Sequence, residues 1–515
     1  MYDFLNQIQS SFSVKIKEKD DCIYILCPSN LSPKICDILF SKFDYIFSGI
    51  ILDRDDMGWK LYYIFFKAHK VVLVEVSSSR AIPIFHSISP YIHGADWHER
   101  EIEDLFGIRF QGHPKLGNFV LHDDVWPEGV APMMHKDFPD PSFDYWQDLP
   151  PQRLLDAKGA FVMPVGPVFS GEAESVHFQI ETIGEEIVRC YPRLFYKYRA
   201  VEKKAELMEI DRVIFLCERI NGKSAFSSAL CLCQAVEDIC GITPPPRAQV
   251  LRVFFCELER IRHHIGVIEG ICSSTGLWIA SNAMGILEER VLRLCCTLTG
   301  HRYLFGMAIA GGVSKDISSE TLKEASEELE RVFLEFKEIE DLLVSTSSFL
   351  DRIEEVGVLN RSQVRDYAMV GPVARGCEII NDMRVVRPYL LYSHINFGIP
   401  TEREGDGYAR LRVFCAEIEQ SLRIIKEIIQ DIPGGPVAIT PEYRAGSGVG
   451  AVEAPGGANI QWVRIDEGGR VLRYRIIPPS FMNWHGFHNA VEGFAFQDFP
   501  IILATFGLSV AENDR

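Results

Sequence analysis

No Cys-x-x-Cys pair occurs in this 515-residue sequence, although it holds 14 cysteines. Their irregular spacing excludes a paired-thiolate zinc signature and gives no disulfide framework, so a reducing compartment and no disulfide-linked partner are expected. Cys231, Cys233, Cys240, Cys295 and Cys296 lie in apolar segments, where buried thiols behave as small hydrophobes. Positive charge is also scarce. A formal net charge of −18 excludes nucleic acid as a partner, because phosphate binding rests on clustered Lys and Arg. No apolar run reaches the roughly 18 residues needed to cross a bilayer, and the stretch from Phe499 to Val510 is interrupted by Gly507. The start, Met1-Tyr2-Asp3-Phe4-Leu5, lacks the basic region and apolar stretch of a secretory signal. A cytoplasmic location is therefore expected, with any membrane attachment made through partners. A dinucleotide-binding glycine fingerprint is missing too, so no dinucleotide-binding unit is expected in this chain.

What is present is a core-forming composition. Hydrophobic residues make up 47% of the chain, ample for a sizeable interior, and the length predicts two or more domains. Residues 1–138 read as α+β. Cys22 to Cys27 is a short apolar strand, and Leu61 to Phe66 and Val71 to Val76 flank a brief turn as in a hairpin. A helix and a loop-rich tail follow. Residues 139–155 have the Pro and Asp density of a linker, since proline removes a donor and blocks regular structure. Beyond residue 156 the periodicity is mainly helical. Apolar residues recur at three- and four-residue steps from Val250 to Ile268, from Leu329 to Leu343 and from Leu411 to Ile429. Thr321-x-x-Glu324 offers a capping box for the second of these helices, and Pro433-Gly434-Gly435-Pro436 ends the third. His485 and His488 have a spacing that could bind metal on a turn, but no third ligand is near in sequence. The stretch from Ala445 to Gly450 lacks the Lys-Ser or Lys-Thr of a phosphate loop and reads as a flexible or close-packed loop.

Several strings carry a resemblance. His93-Gly94-Ala95-Asp96-Trp97-His98-Glu99-Arg100-Glu101-Ile102-Glu103-Asp104-Leu105-Phe106-Gly107-Ile108, with Gly112-His113-Pro114, resembles the signature of the thirty-kilodalton subunit of respiratory complex I. Without that likeness the segment is an amphipathic helix with a charged face, ended by Gly107. From Pro164 onward the chain resembles the forty-nine-kilodalton subunit of complex I and the large subunit of energy-converting nickel-iron hydrogenases. The landmarks are Val165-Gly166-Pro167, Tyr198-Arg199-Ala200-Val201-Glu202-Lys203, Glu257 to His264, Gly371 to Gly376, Glu453 to Gly457 and Pro479 to Trp484. The fold implied is a small N-terminal α+β domain followed, from residue 156, by a larger, mainly α-helical hydrogenase-like domain with peripheral β-hairpins. The resemblance further implies a cytoplasmic-side core subunit of a membrane-bound complex. Its partners would be an iron-sulfur small subunit and membrane-arm subunits that move ions, and it would bind no cofactor of its own. Electrons from NAD(P)H or another donor would pass from the partner's cluster to a quinone or other acceptor.

The departures decide which branch is in view. Hydrogenases of this kind hold nickel with two cysteine pairs, and the aligned positions here are Asn221, Ser224, Ser509 and Glu512. Neither an amide nor an unactivated hydroxyl replaces a bridging thiolate, so no nickel and no hydrogenase activity are expected. On the complex I side, the resemblance implies a His-Pro-x-x-His stretch whose second His, with a Tyr, hydrogen-bonds the quinone headgroup; the two His positions align with Phe169 and Ala173 and the Tyr with Gly222, none of which offers a side-chain donor. Arg219 and His264 match positions that pack beside the partner's terminal iron-sulfur cluster, where a cationic or donor group raises the potential. Residues read without the likeness give a helix-end Arg paired with Glu218 or Glu257 and a core His. The alternative to electron transfer is a structural or coupling subunit that has lost its redox centre.

Overall fold

The computed structural model describes residues 2–12, 14–19, 21–79, 81, 83–126, 130–134, 157–169 and 174–515. The expected linker and Ala173 lie outside them.

Strands β1 (Lys15–Lys19), β2 (Cys22–Leu26), β3 (Ile46–Asp55), β4 (Gly58–Lys67) and β5 (Lys70–Ser78) form one sheet in the order β1-β2-β5-β4-β3. The anticipated hairpin is β4 and β5, with Phe66 opposite Val71. The apolar strand at Cys22 runs parallel to β5. In β3 consecutive residues are buried, Ile50, Ile51 and Leu52 among them, which is the pattern of a strand covered on both faces.

Helix α1 (Asp96–Phe106) carries the long signature string. Trp97, Ile102, Leu105 and Phe106 are buried, as its periodicity requires, and Gly107 closes it in the left-handed region at φ 67°. Much of its charged side is buried as well, at His98, Glu99, Arg100 and Glu101. Residues of the first half cover two of these: Glu99 accepts from Ser87 Oγ at 2.5 Å, and Arg100 donates to the Gly117 carbonyl at 3.1 Å. His98 and Glu101 are met by the second half of the chain. Asp104 fixes the loop beyond the helix: its Oδ2 accepts from the backbone N–H groups of Phe119, Val120 and Leu121 at 3.1, 2.8 and 3.1 Å.

Strands β6 (Ala160–Val165), β7 (His177–Ile183) and β8 (Glu186–Arg193) make an antiparallel sheet. Helices α2 (Ile210–Cys217), α3 (Ala225–Cys240), α4 (Pro246–Ser274), α5 (Trp278–Thr299), α6 (Ser319–Ser345) and α7 (Gly407–Ile428) build the helical body. The three periodic runs are α4, α6 and α7. α4 is buried on nearly every side, polar residues included, so its apolar stripe is only part of what it hides. α6 starts earlier than the capping box at Thr321 suggested: Ser318 is the N-cap, its Oγ accepting from the Thr321 N–H at 3.1 Å. α7 stops at Ile428, ahead of the Pro-Gly-Gly-Pro run.

Strands β9 (Gly446–Ala454), β10 (Gly457–Ile465) and β11 (Val471–Ile477) form a meander on α3. The glycine-rich stretch read as a loop is the start of β9. A Cβ at Gly448 would collide with the Ala235 carbonyl oxygen and one at Gly450 with that of Cys231, so glycine lets strand and helix backbones touch. Helices α8 (Pro479–Gly486) and α9 (Phe499–Phe506) complete the described chain's main elements. Cys231, Cys233, Cys240 and Cys295 are buried, but Cys296 is exposed, one step round α5 from Cys295. Among the described residues no helix is long and apolar enough to cross a membrane.

Candidate functional site

The segment after α2 turns sharply. The Asn221 side chain caps the 3₁₀ turn Gly222–Ser224 by accepting from the Lys223 N–H at 2.9 Å. This places Asn221 and Ser224 opposite the chain's last segment. Glu512 Oε1 accepts from Asn221 Nδ2 at 3.0 Å and Ser224 Oγ at 2.6 Å, and its Oε2 accepts from the Ser480 N–H at 3.2 Å. The Glu512 N–H donates to Ser509 Oγ at 3.3 Å, and the Ser509 N–H to Ser480 Oγ at 3.1 Å. The four expected nickel-ligand positions therefore converge, although Ser224 and Glu512 are 288 residues apart. Arg199 ties the two segments together, donating to the carbonyls of Arg219 at 3.2 Å, Ile220 at 2.9 Å and Asp514 at 3.0 Å.

This donor set does not fit nickel. It contains no thiolate, and the one carboxylate already accepts from two side chains and a backbone N–H. Glu512 is the keystone of a hydrogen-bonded cluster. Substituting Glu512→Ala strips buried Ser224 and the Ser480 N–H of their acceptor, and a loss of about 3 kcal/mol is expected, since hydrogen bonds to charged groups contribute ~1.5–3 kcal/mol. Urea unfolding of wild type and variant measures it.

The two cluster-facing candidates lie in different settings. Arg219 is half-exposed; its Nη1 donates to Glu218 Oε1 at 2.8 Å and to the Phe215 carbonyl at 2.6 Å, and its guanidinium lies 4.9 Å from the Phe305 ring centroid. Glu218 is itself buried and accepts from the Gly306 N–H at 2.7 Å. Burial raises its carboxyl above the usual range, although Gly306 and Arg219 pull the other way. His264 has no exposed surface. Its Nε2 lies 2.9 Å from Glu417 and its Nδ1 3.1 Å from His263 Nδ1. Burial lowers its pKa, although the hydrogen bond and charge of Glu417 pull the other way.

Of the altered quinone positions, Phe169 is half-buried and packs its ring against Gly166. Gly222 faces a different aromatic: a Cβ built on it would meet the Tyr303 ring at 3.4 Å. His485 and His488 sit on helices. His485 stacks on Trp97 at 5.0 Å and lies 3.6 Å from Asp96; burial pushes its pKa down to about 3. His488 is 3.0 Å from the His485 carbonyl and 3.3 Å from the Tyr367 hydroxyl.

Three sequence landmarks meet in a separate buried ionic network. Arg375 reaches Glu417 at 2.6 Å, Glu453 at 2.9 Å and Asp382 at 3.1 Å. Arg384 pairs with Asp382 at 2.8 Å and Glu257 at 3.1 Å. Glu257 also accepts from Tyr392 and Ser421 hydroxyls, each at 2.6 Å. Burial alone would raise the Glu417 carboxyl, but Arg375, His264 and Arg260 outweigh it and hold it well below the usual range. Glu453 goes the other way, up to about 7, through burial and the neighbouring Asp382. Sequence reasoning missed Glu417, Asp382, Arg384 and Tyr392. A signal for Glu417 was available: Arg410, Phe414, Glu417 and Ser421 share one face of α7 at three- and four-residue steps, and polar residues on an apolar face need buried partners.

The family model for the 30 kDa subunit of respiratory-chain NADH dehydrogenase matches residues 26–143, and that for the 49 kDa subunit matches residues 281–445 and 438–515. The chain carries the two complex I domains fused in one polypeptide. Formate hydrogenlyase subunit 5 of Escherichia coli (strain K12) is 28% identical over 520 residues, covering 96% of this chain and 89% of that protein. Hydrogenase-4 component G of the same organism is 28% identical over 84% of this chain and 76% of its own length. The C/D subunit of NADH-quinone oxidoreductase from Bdellovibrio bacteriovorus is 27% identical over 83% of this chain and 82% of its own. These relatives divide between names that say hydrogenlyase or hydrogenase and a name that says quinone.

The two fused units are joined by a second buried ionic cluster. Glu101 on α1 pairs with Arg475 at 2.6 Å and Arg515 at 2.9 Å. Glu202 pairs with Arg475 at 3.2 Å and Arg473 at 3.3 Å and accepts from the Ile476 N–H at 3.0 Å. His98 Nδ1 lies 3.2 Å from Arg475 Nη2, and its Nε2 lies 3.3 Å from Met482 Sδ. Part of the charged face of the signature helix is thus an interface inside the fused chain.

Proposed function

We propose that this chain is a nickel-free core subunit of a membrane-bound oxidoreductase complex, passing electrons from a partner's iron-sulfur cluster to a quinone or other acceptor. The carrying observation is the Glu512-centred cluster, in which the four positions expected to align with nickel ligands, Asn221, Ser224, Ser509 and Glu512, meet and none is a thiolate. The two fused domains support the complex, since relatives of the chain are subunits of formate hydrogenlyase, hydrogenase-4 and NADH-quinone oxidoreductase. The chain would dock on the cytoplasmic side through membrane-arm subunits and take electrons from an iron-sulfur small subunit, with NAD(P)H or another donor oxidised elsewhere. Arg219, half-exposed just beyond α2, would face that cluster. A guanidinium there favours the electron-rich state and raises its potential. His264 acts from inside, by holding Glu417 and the ring of His263.

A second reading, a redox-inactive coupling subunit, is favoured by the same satisfied cluster together with the donor-free Gly222 and Phe169. Metal analysis and electron paramagnetic resonance on the complex purified from membranes separate the two. Iron without nickel, and a cluster signal that shifts with added quinone and with Arg219→Met, is the expected result. A cluster indifferent to both leaves the coupling reading, and stoichiometric nickel overturns both.

A further inference from the structure

Tyr303 follows α5, and its ring lies against Gly222, where a side chain at that position would begin. Two contacts hold it there. Arg262 on α4 donates to the carbonyls of Gly222 at 3.0 Å and Lys223 at 2.7 Å, and its guanidinium stands 5.4 Å from the Tyr303 ring centroid. One arginine therefore fixes both the turn and the ring. The Tyr303 N–H donates to His301 Nδ1 at 3.1 Å, which leaves the proton of a neutral imidazole on Nε2. His301 in turn stacks on Phe305 at 4.3 Å and 12°, the ring that Arg219 covers. The phenol belongs to a residue 36% exposed.

We propose that Tyr303, with His301 beside it, supplies hydrogen-bond donors to the carbonyl of a quinone-type acceptor seated over Gly222. This rests on the acceptor-reducing reading above. A phenol and an imidazole N–H both donate to a carbonyl oxygen, and such donors matter most where negative charge develops. The chemistry expected of a His and a Tyr is kept, but it arrives from the segment after α5 instead of positions 169, 173 and 222. Gly222 leaves room for the Tyr303 ring, which a Cβ there would already touch at 3.4 Å and a larger side chain would crowd. Its backbone is outside the left-handed region, so conformation does not require glycine there.

The intact complex, purified from membranes and assayed with a short-chain ubiquinone, tests this. Tyr303→Phe removes one oxygen from a partly exposed ring, so the melting temperature should be unchanged while KM for the quinone rises at least tenfold; electron delivery to ferricyanide should be unaffected. Gly222→Tyr alone, crowded by Tyr303, should also bind quinone poorly. The double variant Gly222→Tyr/Tyr303→Ala returns a phenol from the other side and should recover most of the affinity. A wild-type complex that reduces quinone with the same KM as Tyr303→Phe overturns the assignment of Tyr303 and leaves the broader reading intact. A wild-type complex that neither binds nor reduces quinone overturns both.

Discussion

Arg375→Met should be among the most damaging single substitutions in this protein, lowering stability by about 3–5 kcal/mol, the range seen when one partner of a buried ionic group is removed. Arg375 is fully buried, and its guanidinium serves Glu417, Glu453 and Asp382 at once. Methionine fills a similar volume but leaves three carboxylates facing one another with only Arg260, Arg384 and His264 nearby. The loss should also depend on pH. In wild type the Glu453 carboxyl already stands at about 7, raised by burial and Asp382 and moderated by Arg375. Removing Arg375 raises it further. A folded pKa above the unfolded value, ~4.3, means that the folded state holds a proton the unfolded chain has lost, so stability falls as pH rises through that window. The variant should therefore lose more at pH 8 than at pH 6, and adding Glu453→Gln should narrow the difference. Urea unfolding at the two pH values measures both effects. An Arg375→Met protein as stable as wild type at pH 8 would mean that the network is dispensable.

The second large effect is expected at the joint between the two units. Glu101→Ala leaves Arg475 and Arg515, both buried, with Glu202 as their nearest anion, and His98 beside Arg475 adds no negative charge. Burial, then Arg475 and Arg515, already hold the His98 pKa well below its ordinary value. A cost of about 3–5 kcal/mol is again expected, but it should appear locally. Hydrogen exchange should quicken in α1 and in β3, whose Leu52 carbonyl accepts from Arg473 at 3.3 Å and whose Asp53 pairs with Arg464 at 3.0 Å. The α4 interior should keep its protection. Uniform loss of protection in α1 and α4 alike would show that the two units unfold as one.

These predictions rest on residues of unequal visibility in the sequence. The central hairpin and the long helices were legible because β4 and β5 are apolar runs flanking a brief turn and α4, α6 and α7 repeat at three- and four-residue steps. The convergence of Asn221, Ser224, Ser509 and Glu512 was legible only through family resemblance, since no local rule links residues 288 apart. Two features escaped for a physical reason. The glycines of β9 look like a loop because local propensity disfavours them in strands, and only the contact with the α3 backbone explains them. The charged face of α1 reads as an ordinary polar face because the partners of Glu101, Arg475 and Arg515, are supplied from the far end of the chain. Tyr303 was invisible for the same reason: its relation to Gly222 is made by Arg262, on a third element.

The Glu512 cluster also bears on how such proteins diversify. Its members hang from one short turn and one terminal segment and bond chiefly to each other, while Arg375, Arg384, Glu257 and Glu417 stiffen the body without touching them. Chemistry and framework are thereby decoupled. The groups at positions 221, 224, 509 and 512 can therefore be exchanged as a set while the ion pairs that hold the body together stay in place.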